Sequence, residues 1–147
     1  MIAIGSDHGG FALKEEIKKH LDRLETPYID FGTKNEDSCD YADYAKIVCK
    51  AITSGQCEKG LLFCGTGIGI SMAANKCRGI RAACCSDYFS AKYTRLHNDA
   101  NVLCLGGRVV GSGLAEELVD IFLTTSFEGG ERHIRRIEKV HEIENEI

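Results

Sequence analysis

Five short apolar runs, separated by stretches of helical periodicity, decide most of what this chain of 147 residues can become. Residues 2–5 (IAIG), 28–31, 60–64 (GLLFC), 81–85 and 101–105 read as strands. After the first of them Leu13, Ile17, Leu21 and Leu24 recur at three- and four-residue spacing with Lys and Glu between, the mark of an amphipathic helix. Ala45, Val48 and Ile52 set a second helical face over 41–54, and further helices are expected over about 68–77, 87–96, 112–124 and 132–146. The run 60–64 is apolar throughout, which suits a strand buried on both faces. Strands alternating with helices at this density predict one α/β domain over 1–147, a parallel sheet between helical layers. In such sheets ligands bind beyond the carboxyl ends of the strands, where strand order reverses. The search for chemistry therefore narrows to the residues after each strand.

Composition closes off other classes. Hydrophobic residues make up 44% and charged residues 27%, so the chain carries enough apolar surface to fold rather than stay disordered. A net charge of −4 argues against a nucleic-acid partner, which calls for a basic excess. No apolar run approaches the roughly 18 residues a membrane span needs, and MIAIGSDHGG has neither the basic start nor the apolar stretch of a secretory signal. The expected location is the cytoplasm. There the eight cysteines are expected to be reduced. No pair has C-x-x-C spacing, so no metal-ligand motif is read from them. Several lie in apolar runs, Cys84 and Cys85 among them, and are expected in the core.

The strand ends carry the ionisable groups. Ser6-Asp7-His8-Gly9-Gly10 follows the first strand. Asp7 there is either a helix cap or, with His8, part of a site facing the strand-end crevice. Cys64-Gly65-Thr66-Gly67-Ile68-Gly69-Ile70-Ser71 follows the third strand. Its alternate glycines let backbone N–H groups converge at a helix start, an anion-binding nest with a thiol at its mouth, and such a position favours thiolate. The loop has no Lys for a nucleotide P-loop. Ile70 or Met72 stands where a dinucleotide fingerprint needs its third glycine. Ile70 also stands where a cysteine-dependent phosphatase would carry arginine. His97-Asn98-Asp99 ends the helix 87–96, where His97 is either a cap or a catalyst. Gly106-Gly107-Arg108 follows the last strand. Arg132 and Arg136, at i and i+4 of the last helix, are either a solvated basic face or a phosphate clamp.

A thiol in an oxyanion nest, two histidines, an aspartate and several arginines, with no cofactor fingerprint, suit cofactor-free proton transfer next to the carbonyl of a phosphorylated sugar. That chemistry is aldose–ketose isomerisation. Four motifs, SDHGGF, CGTGIGISMAANK, RLHNDANVLCLGGRVVG and EGG-x-RH-xx-R, then bring the whole chain into register with a known family. It resembles the ribose/galactose isomerase family. The one departure is Glu131, inserted between EGG and Arg132.

The resemblance implies a Rossmann-like three-layer α/β/α sandwich with a five-stranded parallel sheet. It implies interconversion of ribose 5-phosphate and ribulose 5-phosphate in the pentose phosphate pathway, with no cofactor and no metal. Isomerisation of allose 6-phosphate or galactose 6-phosphate is the alternative, and a non-catalytic phosphosugar-binding module a more distant one. By the same resemblance Cys64 is the base that moves the proton between C1 and C2. Thr66 polarises the thiol or a substrate oxygen, and Gly65, Gly67, Ile68 and Gly69 offer their amides to the enediolate. His97, helped by Asp7, opens the furanose ring. Asn98 binds hydroxyls, Tyr41 walls the pocket, and His8, Arg108, Arg132 and Arg136 contact phosphate and sugar. Family members form homodimers with shared sites, and a dimer or tetramer is expected here. His97, Asn98 and Arg108 are expected from one chain and Cys64 from the other. The apolar stripe Ile134, Ile137, Val140 and Ile147 on the last helix is compatible with such an assembly.

Overall fold

The computed structural model describes all residues from Met1 to Ile147. Strands β1 (Ile2–Ser6), β2 (Tyr28–Asp30), β3 (Lys59–Cys64), β4 (Ala82–Cys84) and β5 (Val102–Gly106) form one sheet in the order β2-β1-β3-β5-β4. Every neighbouring pair is parallel. Six helices join and flank the strands: α1 (Phe11–Arg23), α2 (Tyr41–Thr53), α3 (Ile68–Ala74), α4 (Tyr88–Asn98), α5 (Ser112–Thr124) and α6 (Glu131–Glu146). The expected α/β/α layering with a five-stranded parallel sheet is the observed one.

The sheet separates two cores because side chains alternate along each strand. On one face Ile4, Leu61, Phe63, Leu103 and Leu105 meet Leu13, Ile17 and Leu21 of α1 and Leu118 and Phe122 of α5. On the other, Ala3, Leu62, Val102 and Cys104 meet Val48 of α2 and Ile70 and Ala74 of α3. Residues 61–64 are buried along their whole length, as the unbroken apolar run requires. Each such large side chain contributes about 1.5–3 kcal/mol by leaving water, so the central strands are the rigid part of the molecule.

The edges depart from the sequence reading. Leu24, counted in the α1 stripe, lies just past the helix as its C-cap and is half exposed. Cys85 is buried, but Cys84 is exposed, because β4 is an edge strand that ends at Cys84. At the other edge, fully buried Lys14 is held by Asp30 at 2.7 Å and Glu15 at 3.1 Å, and Lys18 bonds the same two carboxylates. Burial pushes the Asp30 pKa up, but hydrogen bonds from Lys14, Lys18 and the Gly32 amide outweigh it and hold the carboxyl below its usual range. A buried charge left unpaired would be costly, so this cluster ties the end of β2 to α1.

Candidate active site

Strand order reverses between β1 and β3, which start toward opposite edges of the sheet. Ser6 and Phe63 are in register, so Asp7 and Cys64 leave the sheet side by side at that switch point. Asp7 is buried, and its Oδ1 accepts from the Gly10 N–H at 3.1 Å. It therefore caps the single 3₁₀ turn His8–Gly10 while standing at the pocket. That turn is pressed onto β3. A Cβ on Gly10 would come within 2.3 Å of the Phe63 carbonyl carbon. His8 Nδ1 accepts the Cys39 N–H at 3.2 Å, which places the neutral ring's own proton on Nε2.

The Cys64 loop is built by its backbone. Cys64 is 4% exposed, and the Gly67 N–H donates to its Sγ at 3.1 Å. Gly67 reaches this position in the left-handed region at φ 78°, against the carbonyl carbon of Leu105. The Ile68 N–H donates to Thr66 Oγ1 at 3.2 Å. The Gly67 and Ile68 amides of the nest thus point at the sulfur and the threonine. Gly69 lets the Tyr41 ring close over the loop, since a Cβ there would lie 2.8 Å from it.

Arg108 is a correction. It is expected beside His97, yet it belongs to the Cys64 end of its own chain. The Gly107 and Arg108 N–H groups donate to the carbonyls of Cys64 and Gly65 at 2.8 and 3.0 Å. The guanidinium lies over Gly65. Register explains this, because Cys64 pairs with Gly106 and the two turns leave the sheet together.

His97 lies elsewhere. Helix α4 begins just after β4 and carries the chain back across the sheet. Eleven residues at the usual rise cover about 16 Å. His97 and Asn98 occupy its last turn, closed by Asp99 in the left-handed region. They line a groove of about 470 Å³ with Cys84, Tyr93, His133 and Arg136. The His97 ring meets Tyr93 edge-on at 4.9 Å and His133 face-on at 4.2 Å, with 11° between the two imidazole planes. Phe89 stacks on Tyr93 at 4.1 Å to complete the column. His133 is 4% exposed, and its Nε2 lies 2.7 Å from Glu128 Oε1 and 3.3 Å from Arg132 Nε. Burial, then the charge of His97, pull the His133 pKa below the usual imidazole value against the pull of Glu128, and Arg132 and Arg136 add to the lowering.

One copy of the chain therefore gathers Asp7, His8, Tyr41, Cys64, Thr66, the loop glycines, Ile68 and Arg108 at the carboxyl edge of the sheet. It gathers His97, Asn98, Arg132 and Arg136 at the far end of α4. It does not bring Cys64 to His97, nor Asp7 to His97. His133 and Glu128 are the groups the sequence reading passes over, although both lie inside the EGG-x-RH-xx-R motif.

His97, Glu128 and His133 could each offer a ligand atom to a metal, all within 4.8 Å of one another. The imidazole lone pairs lie in the ring planes, however, and those planes are nearly parallel. The stacked pair cannot aim at one ion without turning a ring. No helix is long and apolar enough to cross a membrane.

Comparison with known proteins places this geometry. The family model described as Ribose/Galactose Isomerase matches residues 2–140. The chain is 50% identical over 143 residues to ribose-5-phosphate isomerase B of Escherichia coli, spanning 97% of this chain and 95% of that one. Its structure superposes with a TM-score of 0.96 on ribose-5-phosphate isomerase B of Clostridium thermocellum, at 51% identity over 98% of this chain and 97% of that one. It superposes with a TM-score of 0.93 on ribose-5-phosphate isomerase B of Mycoplasma genitalium with bound ribulose-5-phosphate, at 41% identity over 99% of this chain and 97% of that one.

Proposed function

The chain belongs to the ribose/galactose isomerase family, and on that premise we propose that it interconverts ribose 5-phosphate and ribulose 5-phosphate by proton transfer through an enediolate. The whole of 1–147 acts as one isomerase domain. The observation that carries this reading is the buried Cys64 sulfur, held at the switch point by the Gly67 amide at 3.1 Å. A sulfur held this way is a fixed base at the strand end, which proton transfer between adjacent carbons requires.

Reaction begins with the furanose. His97 donates a proton to the ring oxygen as the C1 hydroxyl loses one toward Asp7, and the aldehyde opens. The Cys64 thiolate removes the C2 proton, and its electron pair moves through C1 onto the carbonyl oxygen. Thr66 and the amides of Gly65 and Gly69 steady the enediolate, while those of Gly67 and Ile68 hold the sulfur and Thr66. The proton on sulfur returns to C1, the O2 proton passes to O1, and the ketose carbonyl forms at C2. No atom is gained or lost, and no redox partner or cofactor enters. Arg108 and His8 approach the sugar phosphate from the Cys64 end, and Asn98, Arg132 and Arg136 from the His97 end. Tyr41 closes the wall.

This sequence needs both ends at one substrate, so the working enzyme is a homodimer in which His97 of one copy faces Cys64 of the other. Its support is the 11-residue length of α4, which parts the two within a chain, and the exposed Ile68, Met72 and Val109 near the Cys64 loop and its neighbouring turn, apolar surface that a second copy would cover. The substrate chemistry places the enzyme in the pentose phosphate pathway. Eight free cysteines suit the reducing cytoplasm. The test is Cys64→Ala. Isomerisation is expected to vanish while ribose 5-phosphate still binds, and near-normal turnover would remove Cys64 as base.

A further inference from the structure

The groove along α4 holds a second histidine that the reaction above does not use. The two contacts to the His97 ring described above, the edge of Tyr93 and the face of His133, are both aromatic and neither is a hydrogen bond. His133 differs from its neighbour in every respect that fixes a side chain. It is buried in the first turn of α6, and it is tied to Glu128 at 2.7 Å. Its Nε2 accepts the Arg132 Nε–H at 3.3 Å, so polar side chains crowd that edge of the ring. The imidazole plane is thereby locked, and the His97 ring lies flat against it.

We propose that His133, buried and held between Arg132 and Glu128, is a positioning residue that holds the His97 imidazole in the orientation needed to open the sugar ring. The inference rests on the ring-opening role given to His97. Two parallel imidazoles at 4.2 Å cannot both carry charge at small cost. Burial and the charge of His97 lower the basicity of His133, which favours a neutral ring beside His97. Glu128 balances the positive charge of Arg132 and Arg136 next to this pair. The role is orientation and charge placement, with no contact between His133 and the reacting atoms.

The test separates ring opening from proton transfer. Ribulose 5-phosphate has its C5 oxygen esterified and so forms no furanose. Exchange of its C1 hydrogen with deuterated solvent reports the Cys64 step alone, whereas conversion of ribose 5-phosphate also requires ring opening. In His133→Ala, kcat for ribose 5-phosphate is expected to fall roughly tenfold, the scale of one lost aromatic contact and a misplaced acid. Exchange into ribulose 5-phosphate should stay within about twofold of the native rate, which also shows that the fold is intact. His133→Phe, which keeps a flat ring, should recover most of the loss. Equal losses in both assays, no loss in either, or a Phe variant as poor as Ala would overturn the proposal. His97→Asn run beside it tests the reading beneath. If that variant loses both assays together, the ring-opening role itself falls. If it separates them and His133→Ala does not, only the present inference falls.

Discussion

The two ends of the molecule that carry chemistry are held in different ways. At the Cys64 end, position is set by backbone. β1, β3 and β5 are locked in register, their turns exchange amide hydrogen bonds, and Gly10, Gly67 and Gly69 stand where a Cβ would collide with main chain or ring. At the His97 end, position is set by side chains. A helix terminus and a helix start meet through Phe89, Tyr93, His97 and His133, with Glu128 behind them. The difference teaches where precision is needed. Moving a proton between adjacent carbons demands a fixed base and fixed dipoles, and a sheet edge supplies them. At the other end a single imidazole has to be aimed, and packed aromatic side chains are enough to aim it.

The comparison can be broken most severely at the base. Cys64→Ala should lower kcat by about 10²–10⁴, the usual worth of a positioned acid–base group, in both the isomerisation and the deuterium-exchange assay. Loss in only one of them would mean the two ends are not divided as described. Backbone rigidity is tested by Gly10→Ala. The new methyl meets the main chain of Phe63, which has nowhere to move, so a loss of about 3 kcal/mol is expected in denaturant unfolding. Phe89→Ala, at the far side of an exposed stack, should cost only about 0.5–1.5 kcal/mol. Similar costs for the two would erase the contrast.

Acid should loosen the ends in sequence. The folded His133 pKa lies below its ordinary 6.5, so the unfolded chain takes up that proton first and stability begins to fall as pH drops through that value. Asp30, which anchors β2 near the Cys64 end, is held below its ordinary 3.8, so its contribution persists until pH falls past that point toward the folded value. Hydrogen exchange should show α6 losing protection between pH 7 and 5 with β2 intact, and His133→Phe should remove the first step. The smallest expected effect is that of a chelator. Activity should be unchanged, because the parallel rings of His97 and His133 do not converge on an ion. Loss restored by a divalent cation would contradict that reading.

Much of the Cys64 end was legible in the sequence, because it is written in local terms. Apolar runs give strands, and the residue after each strand falls at the sheet edge. Glycines at alternate positions announce a loop shaped by backbone. Asp7, Cys64 and the turn at Gly106–Arg108 could be located that way. The His97 end depends on contacts between elements some 30 residues apart. No spacing rule joins His97 to His133, and the inserted Glu131 obscures where α6 begins. Arg108 stands by Cys64 and not by His97 because its place follows from strand order, β5 beside β3, which composition does not reveal. Cys84 looked like core because an edge strand and a central strand share the same apolar letters.

The central claim is that a working site takes Cys64 from one copy and His97 from another, and subunit mixing tests it most directly. Cys64→Ala and His97→Asn proteins, each assayed alone on ribose 5-phosphate, should be nearly inert. Co-expressed at equal levels, half of the dimers are mixed, and each mixed dimer holds one site with both native residues. Recovery of about a quarter of native activity is expected from that symmetry. Activity no higher than the mean of the two separate variants would contradict the account and place the whole reaction within a single chain.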